Sequence, residues 1–208
     1  MATTKKQLAE QVIRILNSGD VTNDNSIDPR ELLLAIEQER DRLVRFRLFE
    51  SLSAGEGDIP GDVVSTFDNI TIKKDTVKNL LYSSLPGRIM SLPRDMGILH
   101  VSYTKDQYNA FIRMPNGSLS LYNGLLSSMI GGRGGYWLEG DRLYYNDGVD
   151  DCCGNTVIIK MVMNSGDVNP DDIFPIPSDL ESEVIKNVIA LYSPMKTIPN
   201  DEQNDNLE

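Results

Sequence analysis

DPRELLLAIEQERDRLVRFRLFESL, residues 28–52, is the stretch on which the reading of this chain turns. Asp28 suits a helix N-cap, Pro29 the first helical position, and Glu31 completes a capping-box arrangement. Leu32, Leu33, Ile36, Leu43, Val44 and Leu48 then recur at helical spacing, so the stripe predicts one long helix to about Leu52. Glu37, Glu39, Arg40, Asp41, Arg42, Arg45 and Arg47 crowd the side expected to face water, with opposite charges three or four residues apart. One reading is a solvated helix laced with local ion pairs. The other notes that the cations here are all arginine, whose planar fork suits carboxylates on a neighbouring subunit better than lysine does. On that reading Arg40, Arg42, Arg45 and Arg47 are interface residues.

Upstream, Leu8, Val12, Ile15 and Leu16 predict an amphipathic helix over residues 4–18, with Gly19 where a helix usually ends. Downstream the period changes after the Ser/Gly/Glu/Gly-rich stretch at 53–57. Thr66, Phe67, Ile70 and Ile72 suggest strand, as do Ile98, Leu99, Val101 and Tyr103. Residues 111–114 and 119–122 flank Asn116-Gly117, a hairpin-turn signal. A second hairpin is predicted from residues 136–139 and 142–146 around Gly140-Asp141. Residues 156–163 form a nearly unbroken apolar run, as a buried strand requires. Ser178 and Glu181 open a last helix, whose apolar face is Leu180, Val184, Ile185, Val188, Ile189 and Tyr192, and Pro194 is expected to stop it.

The predicted fold is therefore α+β: an N-terminal α-hairpin and a C-terminal helix form a small bundle, with a β-rich sheet or barrel inserted between them. The helical part takes residues 1–54 and 175–198, the β-rich domain residues 55–174. Residues 199–208 are an acidic tail carrying Asp201, Glu202, Asp205 and Glu208, expected to be disordered in the free protein. Three helices of this length bury little alone, so the bundle is expected to need neighbours.

The formal charge is −11 over 208 residues. Such a surface repels phosphate backbones, which argues against sequence-specific nucleic-acid binding. No apolar run approaches the roughly 20 residues of a membrane span. The start of the chain is polar, without a signal-peptide core, so synthesis in a cytoplasm-like compartment is expected. The two cysteines, Cys152 and Cys153, are adjacent and cannot staple distant parts of a fold; a reduced pair is expected. With them and the single histidine, His100, zinc and iron–sulfur sites are not expected.

Catalytic patterns are sparse. One histidine in a predicted strand does not support Ser/His or Cys/His arrangements, and no nucleophile elbow occurs. The chain is not expected to be an enzyme, although an acid-only site carries no short motif and stays open. Residues 131–135, Gly-Gly-Arg-Gly-Gly, lack the Lys-Ser/Thr ending and the following helix of a phosphate loop. They read instead as a hairpin or surface tip, which with Tyr136 and Trp137 would make a contact loop that orders on assembly. Residues 20–31 place Asp20, Thr22, Asp24, Ser26, Asp28 and Glu31 at alternating oxygen-ligand positions of an EF-hand-like calcium loop between helices. Asn25 stands where glycine is expected, and a polar turn whose Asp28 and Glu31 are helix caps explains the same residues. No other cofactor is indicated.

Several blocks carry a resemblance. They are residues 32–43 around Glu37-Gln38-Glu39-Arg40-Asp41, then Ser65-Thr66-Phe67-Asp68-Asn69, and Leu85-Pro86-Gly87-Arg88-Ile89 running to Leu92-Pro93. Further along come Gly97-Ile98, Glu139-Gly140-Asp141-Arg142-Leu143-Tyr144-Tyr145 and Pro175-Ile176-Pro177. In this pattern the chain resembles the head-to-tail ring or adaptor proteins of short-tailed phages, particularly crAss-like phages. The resemblance implies a structural virion protein at the head–tail junction, made in the host cytoplasm. It would form a ring of about twelve copies beneath the portal, contact further ring or tail proteins, and line part of the DNA ejection path. Terminal segments would reach onto adjacent chains, which makes Asp201 and Glu202 interface candidates. It implies no active site.

Overall fold

The computed structural model describes residues 3–17, 27–54, 59–92, 96–115, 134–146 and 156–196. The fold is mixed α+β. The chain divides into two compact units, Met1–Asp58 with Val168–Glu208, and Ile59–Asp167.

Among the described residues the first unit holds three helices, α1 (Lys5–Leu16), α2 (Pro29–Ser53) and α3 (Ser178–Lys196). α1 starts at a capping box that the sequence reading passes over. Thr4 Oγ1 accepts from the Gln7 amide at 3.2 Å, and the Gln7 side chain accepts from the Thr4 amide at 3.1 Å. α2 starts at Pro29 as predicted, with the Asp28 carboxylate accepting from the Arg30 amide at 2.8 Å. The three helices pack together over Leu8, Val12, Leu32, Ile36, Val44, Leu48, Val184 and Val188, all buried. α2 and α3 run antiparallel: Arg47 pairs with Asp179 at 2.6 Å, and Asn187 donates to Glu39 at 2.6 Å.

Two expectations change here. α3 continues to Lys196, two residues past Pro194. A proline deletes one amide donor, and in a terminal turn that loss is small enough for the helix to run on. Residues 168–174, expected in the β-rich part, belong to the helical unit instead. The Phe174 amide donates to the Thr3 carbonyl at 2.9 Å, the Lys6 amide to the Pro170 carbonyl at 3.2 Å, and Phe174 and Ile176 are buried.

Among its described residues the second unit contains two sheets. One is antiparallel in the order β1 (Ser65–Thr71), β8 (Thr156–Met161), β4 (Ile98–Tyr103). The other has the order β2 (Lys73–Asp75), β3 (Leu80–Ser84), β7 (Arg142–Tyr145), β6 (Gly135–Glu139), β5 (Ile112–Arg113). One apolar cluster draws on both sheets, with Val101, Val157, Ile159 and Met161 from the first and Tyr136, Leu143 and Tyr145 from the second. Strand β8 is the buried apolar run, and it is central in its sheet, as its composition requires. The β6–β7 hairpin turns at Gly140, whose φ of +65° is the left-handed conformation glycine tolerates. Residues 111–114 contribute the short β5, which pairs parallel to β6. The turn predicted at Asn116-Gly117 and its far strand at 119–122 lie outside the described residues, as do Gly19, Cys152 and Cys153.

Candidate assembly surface

The arginines of α2 do different things. Arg40 is 0% exposed. Its Nε donates to the Pro175 carbonyl at 2.9 Å, its Nη1 lies 3.0 Å from Asp41 Oδ1, and its guanidinium stands 5.8 Å from the centre of the Phe174 ring. Lys5, also buried, faces the same ring at 5.7 Å and is bonded to Glu37. Arg40 is therefore not an interface residue, and Glu39 and Asp41 do not lie on the exposed face. They are buried in the fold, because the segment entering α3 supplies a carbonyl acceptor and an aromatic face over this part of α2. Burial depresses the Arg40 pKa, and Asp41 opposes that shift.

Arg47 is half-buried and reaches Asp179 on α3, so it ties helices within one chain. Arg42 is exposed but braced, donating through Nε and Nη2 to the two oxygens of Glu39 at 2.9 and 2.5 Å. These bonds hold the Glu39 carboxyl below its ordinary range against the opposing effect of burial, with Asn187 adding a further donor. Arg45 is exposed.

Beside Arg42 and Arg45 stand two residues that the sequence reading passes over. Phe46 and Phe49 are each 60% exposed. Between residues 42 and 49 every exposed side chain of α2 is thus an arginine or a phenylalanine. Helical spacing explains the arrangement: with Leu43, Val44 and Leu48 turned inward, positions 42, 45, 46 and 49 share the opposite side. The available signal was that two phenylalanines fall outside the apolar stripe. Such a surface is suited to association, since aromatic residues and arginine concentrate where subunits meet.

Tyr136 and Trp137 are not in a contact loop. They lie in β6, 4% and 5% exposed, with Tyr136 in the core shared by the sheets and Trp137 on the opposite side of the strand, stacked on Tyr144 at 5.8 Å. Strand alternation places consecutive large residues on both faces of a sheet that is covered on both. Burial pushes the Tyr136 hydroxyl up to about 12, so it stays protonated. Asp201 and Glu202 lie outside the described residues.

Of the calcium-loop residues, Asp20, Thr22, Asp24 and Ser26 also lie outside the described residues. Asp28 and Glu31 are exposed at the start of α2, where Asp28 already accepts from the Arg30 amide. Among the described residues, no group of three or more His, Cys, Asp and Glu side chains could hold a metal ion. His100, in β4, is hydrogen-bonded to Ser102 Oγ at 3.0 Å, and burial followed by the charge of Lys160 lowers its pKa.

A cleft of about 600 Å³ in the β unit is lined by Leu85, Pro86, Arg88, Leu138, Asp141 and Asp167 among others. Of its carboxylates, Asp167 accepts from the Arg88 amide, while Asp141 is exposed and lies 4.0 Å from Arg142. No helix among the described residues is long and apolar enough to cross a membrane. No protein-family model matches the chain, and no curated protein matches it significantly.

Proposed function

We propose that this chain is a structural virion protein, one subunit of a multi-copy ring below a phage portal that joins head to tail and forms part of the DNA ejection channel. The observation that carries the assembly part of this reading is the Arg42–Arg45–Phe46–Phe49 surface of α2. Two phenylalanines held largely in water on a regular helix are a standing cost in the isolated chain. Burying the exposed part of each against a partner is worth roughly 1–2 kcal/mol. Arg42 is pre-oriented by Glu39, and ordering it at a contact costs less than ordering a freely rotating side chain.

The position of the ring at the portal rests on the resemblance of the blocks at 32–43, 65–69, 85–93, 97–98, 139–145 and 175–177 to phage adaptors. The net charge of −11 suits a channel past which DNA must slide without adhering. The partners are the portal protein, further ring or tail proteins and other copies of this chain. The test is to mix the purified chain with the portal of its own phage and weigh the complex by native mass spectrometry. A discrete, closed complex is expected, with about twelve chains per portal ring as the resemblance implies. A portal that remains bare at saturating chain concentration contradicts the proposal.

A further inference from the structure

The polar face of the β1–β8–β4 sheet carries a row of hydrogen-bond donors that the fold leaves unused. Lys160, in the central strand β8, stands directly across from Thr66 on β1 and from His100 on β4. Residues opposed in this way share a face, with neighbouring strands about 4.8 Å apart. Thr66 and Lys160 are exposed and His100 is half-buried. Buried Ser102 is hydrogen-bonded to His100 Nε2 at 3.0 Å, which steadies the ring and leaves Nδ1 as its spare nitrogen. Among the described residues Lys160 makes no ion pair and the Thr66 hydroxyl has no hydrogen-bond partner. The other residues that register places on this face, Thr71, Thr156, Ile158 and Ser102, are uncharged. Asp68, in the bulge of β1, does not pair with Lys160.

An ammonium opposite an imidazole, with no carboxylate to offset them, is an uncompensated positive spot on a chain whose net charge is −11. The charge of Lys160 disfavours protonation of His100, after the larger effect of burial. A bound anion reverses that field. The row also selects the anion, since two strand spacings set its ends about 10 Å apart. A planar carboxylate offers two oxygens along one edge. A phosphate group offers oxygens in several directions, so donors on three strands can reach it. We propose that Thr66, Lys160 and His100 bind a phosphate group, either a free ion or a phosphodiester of DNA. The contact reads no base sequence and does not depend on the ring reading. The acidic surface around it keeps binding weak and salt-sensitive.

His100 is the single histidine of the chain, so its ring gives one NMR signal whose pH titration reports the site. The full chain is titrated in sodium chloride, in inorganic phosphate of matched ionic strength, and with a short DNA duplex. The His100 pKa should rise saturably with phosphate, because an anion favours the charged ring. Affinity should fall about tenfold in Lys160→Gln and about threefold in Thr66→Val, the range of single hydrogen bonds with and without charge. Lys160→Arg keeps the charge and should still bind, which separates loss of the site from damage to the sheet. A rise with DNA that is weakened in Lys160→Gln assigns the phosphate to the DNA backbone, and a rise with inorganic phosphate alone assigns it to a free ion. An equal rise in sodium chloride means that screening of Lys160 accounts for the effect and overturns the proposal. So does a rise that survives Lys160→Gln unchanged, or no rise with either probe. None of these outcomes bears on loading at the portal, which Phe46→Ser/Phe49→Ser tests separately.

Discussion

Arg40 Nε donates to the backbone carbonyl of Pro175 at 2.9 Å, joining α2 to the segment that enters α3 across 135 residues of sequence. This bond, with Asp41 and the Phe174 ring on the same guanidinium, makes a charged residue part of the interior of the helical unit. Arg40 and Arg45, five positions apart on one helix, consequently have opposite assignments, the first in stability and the second in association.

Arg40→Met removes the buried donors that Pro175 and Asp41 accept from. A loss of about 3 kcal/mol in unfolding free energy is expected, since breaking a buried charged network strands the groups around it. Arg40→Lys should recover little, because an ammonium does not reproduce the planar fork. Urea unfolding followed by helical circular dichroism measures both, and a loss below about 1 kcal/mol for Arg40→Met contradicts the assignment.

Arg45→Glu and the pair Phe46→Ser/Phe49→Ser should change monomer stability by no more than about 0.5 kcal/mol per site, as exposed substitutions usually do. The same variants should load poorly on the portal. Equal losses in thermal unfolding and in assembly would return this side of α2 to the status of a solvated helix face.

Asp28→Ala should cost about 1 kcal/mol, the usual value of an N-cap side chain. The cost should be the same with and without calcium, because the Asp28 carboxylate is engaged by the Arg30 amide. A calcium-dependent rise in melting temperature that vanishes in Asp28→Ala and in Glu31→Gln would instead assign residues 20–31 to ion binding.

Acid should weaken the helical unit through Glu39. Its folded pKa is depressed by the hydrogen bond from Arg42, with burial opposing and Asn187 assisting. A depressed carboxylate contributes stability that is fully present above the ordinary value of 4.5 and is lost as pH falls through the folded value. Asp179 beside Arg47 shifts in the same direction. Denaturant unfolding between about pH 6 and pH 3 should therefore show falling stability, with a shallower slope in Glu39→Gln. An unchanged slope would mean that other carboxylates dominate the acid response.

Much of the fold was legible because its signals are local and periodic. The cap at Asp28, the stripe through Leu32, Ile36 and Leu48, the apolar run of β8 and the Gly140 turn each announce an element without help from the rest of the chain. The β2–β3 hairpin was not legible, since Lys73-Lys74-Asp75 carries no apolar alternation and its turn relies on Asn79 in a left-handed conformation, φ 53°. Parallel pairing of β5 with β6 depends on contacts between separated segments and has no local signature. The same limit governs the surface. Helical spacing alone did not separate Arg40 from Arg45, because what buries Arg40 is Phe174 and Pro175, more than 130 residues away. Tyr136 and Trp137 follow a glycine run that suggests exposure, and only the partners on both sides of β6 explain their burial.

The measurement that reaches the central claim most directly is imaging of the intact portal–tail assembly by electron cryomicroscopy, with this chain located in the density. A closed ring of this chain matching the portal's symmetry, with the Arg42–Phe49 side of α2 covered by a neighbour, is the predicted result. Absence of the chain from the virion, or its presence with that side of α2 open to solvent in every copy, would contradict the account.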